Sequence, residues 1–478
     1  MSLAQKAGKA GALLLLRKMW GALVNIGVMA YLARTLDMQD FGLVAISGTL
    51  IGFIQVFGVS GIGEYIIFYN KDDHGQVTNA AFWLNLVISA LIVIAVLIVA
   101  PFWADFYHDR RIFNLVCLLL VGFFFSMISS IPQALFKKSL DYQPLIVIQT
   151  IFGTASQLSQ VAFAFLGFGV YSLALPNAVI MPMLALTLLW RSGFRPKLKQ
   201  LYIQHWKKIF SYTKHVIGAR VLSKFANEGD TLLIGKLLGM GALGVYDIAF
   251  KLANLLNGQL LPIITNISMP VFAKNKTDLL TVKKHYIKMI ELIGFIFIPF
   301  FAGLAIFASD IIHLLYGSKW EEAIVPFQIL CGFAVFRSLS SPTSGLFNAL
   351  GKPHIGFYFT AIFTPLFLGT LYFSSLSGLI GACISVTVLR QLGSCFLLYM
   401  GNKMIDSSLL EVWDTIKTPV VATLISTFFV VPFYAFFHQT LLSFSMFLLL
   451  FFAVVWVFFR ASLMRVLSML SSMNPLNS

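Results

Sequence analysis

The sequence predicts an all-α, polytopic membrane protein of about fourteen transmembrane helices, built as two pseudo-symmetric six-helix bundles plus two C-terminal helices. Three observations carry this fold class. Of 478 residues, 58% are hydrophobic and only 11% are charged, and the mean hydropathy is +0.86; soluble domains carry about 25% charged residues. Apolar windows of about 20 residues, long enough to cross a bilayer, recur along the whole chain. A segment near the middle repeats a segment near the start.

The first window lies near Ala12–Arg34. Met1 to Gly11 is basic, but Arg17 and Lys18 interrupt the apolar run and no small-residue cleavage site follows, so the segment reads as a retained helix rather than a signal peptide. The second window lies near Phe41–Gly61, the third at Asn79–Ala100, and the fourth at Ile112–Phe136, after the polar turn Asp105–Arg111. Leu145–Leu166 and Val170–Trp190 follow, joined by a minimal Gly-Phe-Gly turn, and the basic segment Arg191–Lys208 closes the first six. The seventh and eighth run near Ile209–Leu238 and Leu243–Ile267. After the basic loop Lys274–Lys288 come Met289–Ala308, Ala323–Leu346, Ile355–Phe373 and Leu379–Tyr399. Pro419–Phe437 and Leu441–Phe459 complete the series, and Arg465, Leu467 and Met469 of the tail suit the membrane interface. The expected division is therefore an N-terminal bundle at 1–190, a basic cytoplasmic linker at 191–208, a C-terminal bundle at 209–400, and two extra helices with a tail at 401–478.

Lys137, Lys138, the cluster from Arg191 to Lys208, and Lys274, Lys276, Lys283 and Lys284 fall on one side if the N-terminus is cytoplasmic. The opposite loops hold little beyond Arg110, Arg111 and Lys319. The positive-inside rule then places both termini in the cytoplasm. The net charge of +15 is accounted for by these topogenic loops, and no basic surface with stacking or base-reading groups points to nucleic acid. Cys117, Cys331, Cys383 and Cys395 lie singly in apolar runs and read as packed hydrophobes, with neither metal spacing nor a disulfide framework.

Lys18–Ile46 aligns with Arg220–Ile248 at a constant offset and without gaps. Lys18 meets Arg220, Asn25 meets Asn227, Arg34 meets Lys236, Leu36 meets Leu238, Met38 meets Met240 and Gly42 meets Gly244. A weaker echo relates Ala134-Leu-Phe136 to Gly345-Leu-Phe347. Six spans separate the copies, so the repeats are parallel, related by an axis along the membrane normal, an arrangement that suits alternating access. Gly239-Met-Gly241-Ala-Leu-Gly244 matches G-x-G-x-x-G, but no strand precedes it, so it reads as a helix–helix turn. No Walker motif, metal-ligand spacing or catalytic triad is identifiable, and no catalytic residue is expected.

The intramembrane charges are the informative set. At about 100° per residue, Arg220, Lys224 and Asn227 share one helical face, flanked by Glu228 and Asp230. Each charge costs roughly 2.5–3.5 kcal/mol at mid-bilayer, so such a row should line a water-filled cavity rather than face lipid. Arg17, Lys18, Lys251, Arg337 and Arg390 are the other buried-span cations. Two readings stand side by side for them. Each is locally paired or snorkels, as Lys224 with Glu228 and Lys251 with Asp247 at i,i+4; or they converge to neutralise a phosphorylated anion. The carboxylates Glu228, Asp230, Asp247 and Glu291 either partner these cations or carry Na⁺ or H⁺. Glu64 is placed at the outer end of the second span, where it would gate the periplasmic mouth.

The span-one ending Leu-Ala-Arg-Thr-Leu36, with Asp40-Phe-Gly42-Leu-Val-Ala after it, and Gln133-Ala-Leu-Phe-Lys-Lys-Ser-Leu-Asp-Tyr142 resemble segments of the Wzx-type polysaccharide flippases. These belong to the multidrug/oligosaccharidyl-lipid/polysaccharide exporter superfamily, and the resemblance covers essentially the whole chain on loose motifs. It implies transfer of an undecaprenyl-pyrophosphate-linked oligosaccharide from the cytoplasmic to the periplasmic leaflet of a bacterial inner membrane. It also implies a monomer working beside a polysaccharide polymerase and a chain-length regulator. Cations of the family's first and seventh helices near the pyrophosphate map onto Lys18, Arg220 and Lys224; Asp230 is the nearest match to an acidic Na⁺ site, but partner ligands for it are not evident. Two alternatives remain: an ion-coupled drug exporter of the same fold, which should favour acidic cavity residues, and an O-antigen polymerase or ligase, which needs a large outer loop that this chain lacks.

Overall fold

The computed structural model of the protein describes residues 3–59, 61–69, 75–198, 201–437 and 439–472. Lys199 and the side chains of Arg465, Leu467 and Met469 lie outside the described residues. The chain begins with α1 (Leu3–Thr35), α2 (Met38–Val59), the short α3 (Ile62–Phe68), α4 (Gln76–Phe106), α5 (Arg111–Lys138), α6 (Tyr142–Phe165) and α7 (Leu175–Arg191). The continuous stretch α8 (Trp206–Lys274) is broken at Gly239 into two arms, 206–238 and 240–274. Then come α9 (Leu279–Ile306), α10 (Ala308–Tyr316), α11 (Ile324–Ala349), α12 (His354–Ser375), α13 (Gly378–Met404), α14 (Leu409–Phe437) and α15 (Thr440–Ser472). Among the described residues there is no strand.

Twelve helices among the described residues are long and apolar enough to cross a membrane. One of these, Arg220–Pro262, comprises the two arms of α8, and α1 is not in the set. Separating the arms and adding α1 restores the fourteen expected crossings. The protein is thus a multi-pass membrane protein. Packing agrees: α4 buries Ala80, Ala81, Ala100 and Ala104 together with Val77, Phe82, Leu84 and Val96, while Leu91, Ile94, Ile98 and Phe102 are exposed. Large apolar residues on the outer face as well as the inner one are what a helix facing lipid requires. Lipid tails are as apolar as leucine, so helices associate through close backbone approach rather than hydrophobic burial.

The chain parts into two compact units, Met1–Asp247 and Ile248–Ser478. This differs from the division expected at 191–208 and at 400. The first arm of α8 is fastened into the first unit by Phe53 against Phe225 (ring centroids 4.5 Å apart), and by the Tyr107 hydroxyl donating to the Leu232 carbonyl at 3.2 Å. In the second unit α14 and α15 are not an appendage. Leu292 and Phe295 of α9 share a core with Ala422 of α14 and Phe451, Val454 and Val455 of α15.

The duplication is visible in the backbone. The first copy ends α1 at Thr35 and restarts at Met38; the second breaks at Gly239, the residue aligned with Asp37, with φ +86°, a conformation that glycine adopts at no steric cost. The G-x-G-x-x-G run is therefore the helix–helix turn expected. The two copies also meet reciprocally. A Cβ on Gly42 would fall on the Met240 carbonyl, and a Cβ on Gly244 would fall on the Met38 carbonyl. Because Met38 aligns with Met240 and Gly42 with Gly244, each copy presents the same glycine to the same carbonyl of the other. The weaker echo has a similar consequence in each unit: Ala134 approaches Gly63 just past α2, and Gly345 approaches Ser268 and Met269 late in the second arm of α8.

The first unit has two polar ends. At one, Lys138 donates to the Tyr69 carbonyl at 2.6 Å, and Asn79 exchanges two hydrogen bonds with the Lys197 backbone, which docks the basic segment on α4. At the other, Arg111 pairs with Asp109 at 2.8 Å and Asp40 at 3.7 Å, and the Arg111 side chain holds the Asp109 carboxyl below the usual carboxylate range.

Candidate functional site

Within the first unit, α2, α5, α7 and the first arm of α8 line an open cavity of about 300 Å³. Gly48, Gly52 and Gln55 of α2, Ser126 of α5, Asn177 of α7 and Lys224 of α8 line it. Gly48 and Gly52 stand one turn apart, and their missing side chains open the space. A Cβ on Gly52 would fall on the end of the Lys224 side chain, so this glycine is what admits the ammonium between helices. Among the described lining residues Lys224 is the sole charge, set among three neutral amide and hydroxyl side chains and the apolar Ile51, Leu119, Phe123 and Met181. Such a site suits an anionic, oxygen-rich group: the ammonium offers three donors and the amides add more.

The expected cations are held in different ways. Lys224 is ion-paired with Glu228 one turn on, through Oε1, while Oε2 of Glu228 is buried without a hydrogen-bond partner among the described residues. Arg220 pairs with Glu64 at 2.5 Å, and both side chains are about half exposed (43% and 49%). Glu64 therefore requires a correction. It lies in α3, which packs on α5, at the end of the unit carrying Tyr69 and Lys138, not at the end carrying Asp109 and Arg111. With the expected topology that is the cytoplasmic end, because the chain has crossed twice before reaching it, so a periplasmic gating role is withdrawn.

Arg17 donates to the Gln149 side chain of α6 at 2.5 Å, and Gln149 in turn donates to Gln133 of α5 at 3.0 Å. Lys18 is half-buried on α1, while Asn25 and Asn227 are exposed; Asn227 donates to the Ser223 carbonyl at 2.6 Å. Of the expected cationic set, Lys224 alone is among the described residues lining the cavity.

Asp230 is 1% exposed and accepts a hydrogen bond from Tyr246 at 2.7 Å. That bond ties the two arms of α8 across the Gly239 break. Asp247 is half-buried. Lys251 and Glu291 belong to the second unit, Lys251 exposed and Glu291 buried on α9. In that unit Arg390, 8% exposed, lies over the rings of Phe250, Phe333 and Phe367 at 5.7, 5.1 and 4.9 Å, and Arg337 lies over Phe333 at 5.7 Å. The ring faces, whose centres carry partial negative charge, stabilise a guanidinium set against them. Gly48, Gly52, Gln55, Ser126 and Asn177 were not expected as site residues. Their signal in the sequence is faint: a G-x-x-x-G pair and single polar residues in apolar runs.

The comparisons with known proteins agree with this architecture. The chain is 24% identical to the lipopolysaccharide biosynthesis protein WzxC of Escherichia coli over 371 residues, covering 77% of this chain and 74% of that one. It is 24% identical to the teichuronic acid biosynthesis protein TuaB of Bacillus subtilis over 314 residues, 64% of this chain and 63% of TuaB. Among solved structures, the lipid II flippase MurJ in an inward closed conformation superposes with a TM-score of 0.76 at 13% identity, covering 94% of this chain and 99% of that one. An inward-facing multidrug resistance MATE family transporter of the MOP superfamily reaches 0.66 at 14% identity, covering 82% and 98%. These likenesses show the fold. The polysaccharide biosynthesis protein model matches residues 31–325, more than half of the chain. The chain belongs to the polysaccharide biosynthesis protein family.

Proposed function

We propose that the protein is a flippase, not an enzyme, that moves an undecaprenyl-pyrophosphate-linked oligosaccharide from the cytoplasmic to the periplasmic leaflet of a bacterial inner membrane by alternating access. It would supply a polymerase and a chain-length regulator that build a surface polysaccharide. The observation that carries this reading is the Lys224 ammonium as the charged lining group of a cavity whose other described lining is neutral, polar at Gln55, Ser126 and Asn177 and apolar at Ile51, Leu119, Phe123 and Met181. Membership of the polysaccharide biosynthesis family supports it, as do the polysaccharide pathways in which the named relatives work. In this reading Lys224 meets the pyrophosphate within the bundle, Arg220 and Lys18 lie along its approach, and both termini are cytoplasmic. The drug-exporter alternative shares the fold, but a pump for cationic drugs would set a carboxylate where Lys224 stands. Of the four carboxylates expected to carry Na⁺ or H⁺, Asp230 already serves Tyr246, whereas Glu228 stands beside the cavity cation.

The test is export of surface polysaccharide in a strain lacking the protein, complemented with Lys18→Ala, Arg220→Ala or Lys224→Ala. A charge-assisted hydrogen bond is worth roughly 1.5–3 kcal/mol, so losing Lys224 should reduce flux about tenfold or more. Full export by all three variants would overturn the cationic-site reading.

A further inference from the structure

We propose that binding of an anionic phosphoryl group at Lys224 is accompanied by uptake of one proton by Glu228. The inference rests on the reading of the cavity as a phosphate site and adds how its charge is balanced. A cavity of about 300 Å³ is at the small end of ligand sites, which span roughly 300–1,000 Å³. It has room for a phosphoryl group and its waters, not for a whole oligosaccharide.

Before the ligand arrives, Lys224 and Glu228 form a pair of zero net charge. An incoming phosphoryl group brings negative charge against the same ammonium. Gln55, Ser126 and Asn177, which face it from α2, α5 and α7, are not titratable, so no second cation among the described lining residues offsets it. The other ionisable groups acting on Glu228 are the carboxyl groups of Asp230 and Asp247, from the two arms of α8, and neither can supply positive charge. The Lys224 and Glu228 side chains are 23% and 31% exposed, less than those of Arg220 and Glu64, and two anions sharing one cation in a partly desolvated site is the situation in which one of them is neutralised. The phosphoryl group keeps its charge through the new contact to Lys224. Glu228 takes a proton from water, and its buried, unpartnered Oε2 receives it with no existing hydrogen bond broken. The Arg220–Glu64 pair is the internal contrast. Both of its side chains are about half exposed, so water screens a displaced Glu64 and no proton uptake is expected there.

The experiment is calorimetric titration of inorganic pyrophosphate into the full chain in lipid nanodiscs, in buffers of different ionisation enthalpy. Protons gained or lost by pyrophosphate itself cancel between variants. Wild type should take up about one more proton per ligand than Glu228→Gln, and Glu64→Gln should match wild type. As pH rises, affinity of wild type should fall relative to Glu228→Gln by up to about tenfold per pH unit. Equal uptake in wild type and Glu228→Gln would overturn the proposal while leaving the phosphate site standing. No pyrophosphate binding by wild type at any pH would overturn the phosphate site, and the proposal with it. Should Glu228→Gln not fold, infrared difference spectra of wild type decide the matter: a protonated-carboxyl band must appear on adding pyrophosphate, and its absence is fatal.

Discussion

Where the first copy of the repeat turns between Thr35 and Met38, the second breaks at Gly239, and both go on to the same glycine pressed on the same carbonyl. Upstream of that turn the copies part company. Arg17, just before the first copy, is bonded to a neutral glutamine chain through Gln149 and Gln133. In the second copy Arg220 is bonded to Glu64 and Lys224 to Glu228, while Lys236 donates to the Phe106 carbonyl at 2.5 Å. The backbone contact tolerates no change of volume, so both copies retain it. A polar contact can be met by amide or carboxylate alike, so the two copies diverged there. The Lys224–Glu228 pair therefore has no counterpart at the aligned positions of the first copy, which carry Ala22 and Ile26.

The largest expected effect breaks the shared element. Gly42→Val and Gly244→Val each force a side chain onto a carbonyl, and overpacking costs about 1–3 kcal/mol or more. The yield of monodisperse protein after detergent extraction should drop sharply for each. Because the contact is reciprocal, the double variant should lose less than the sum; strict additivity would mean the glycines do not act together.

Removing one partner of the Lys224–Glu228 pair comes next. Lys224→Ala leaves a partly buried carboxylate uncompensated, at a cost of roughly 1–3 kcal/mol, and Lys224→Ala with Glu228→Ala should regain much of it. A thermal-unfolding series that shows no such recovery would separate the two residues energetically. Arg17→Ala should cost less, about 1 kcal/mol, because Gln149 keeps Gln133 as a neutral partner. Arg220→Ala should cost under about 1 kcal/mol in stability, whatever it does to export.

The smallest effect is one of pH. Arg111 holds the Asp109 carboxyl below its ordinary value, so this stabilisation is complete above about pH 4 and is lost as pH falls through the lowered value. The melting temperature of wild type should decline slightly more than that of Asp109→Asn on such acidification. Parallel curves would remove the pair from the account.

Much of the fold was legible because a bilayer demands long apolar helices and satisfied backbones. The Gly-Phe-Gly turn, the break at Gly239 and the Lys224–Glu228 pair all follow from local spacing. The site was legible only in part. Glu64 was assigned to the wrong end, although counting crossings alone would have placed it correctly. Gly48, Gly52, Gln55 and Asn177 escaped because each is unremarkable in its own window and acquires meaning only from the helix opposite.

The sequence by itself determined the membrane class, the helices, their repeat and the row of charges on α8, since these are properties of composition and of neighbours three or four residues apart. Only the tertiary structure decided which charges are already paired, that Arg390 is housed among three rings, and that the repeated glycines meet one another. The physical reason is that partners such as Arg220 and Glu64, or Gly42 and Met240, lie far apart along the chain. In lipid such pairs are selected by close packing and by the cost of an uncompensated charge, neither of which is written in a single helical window.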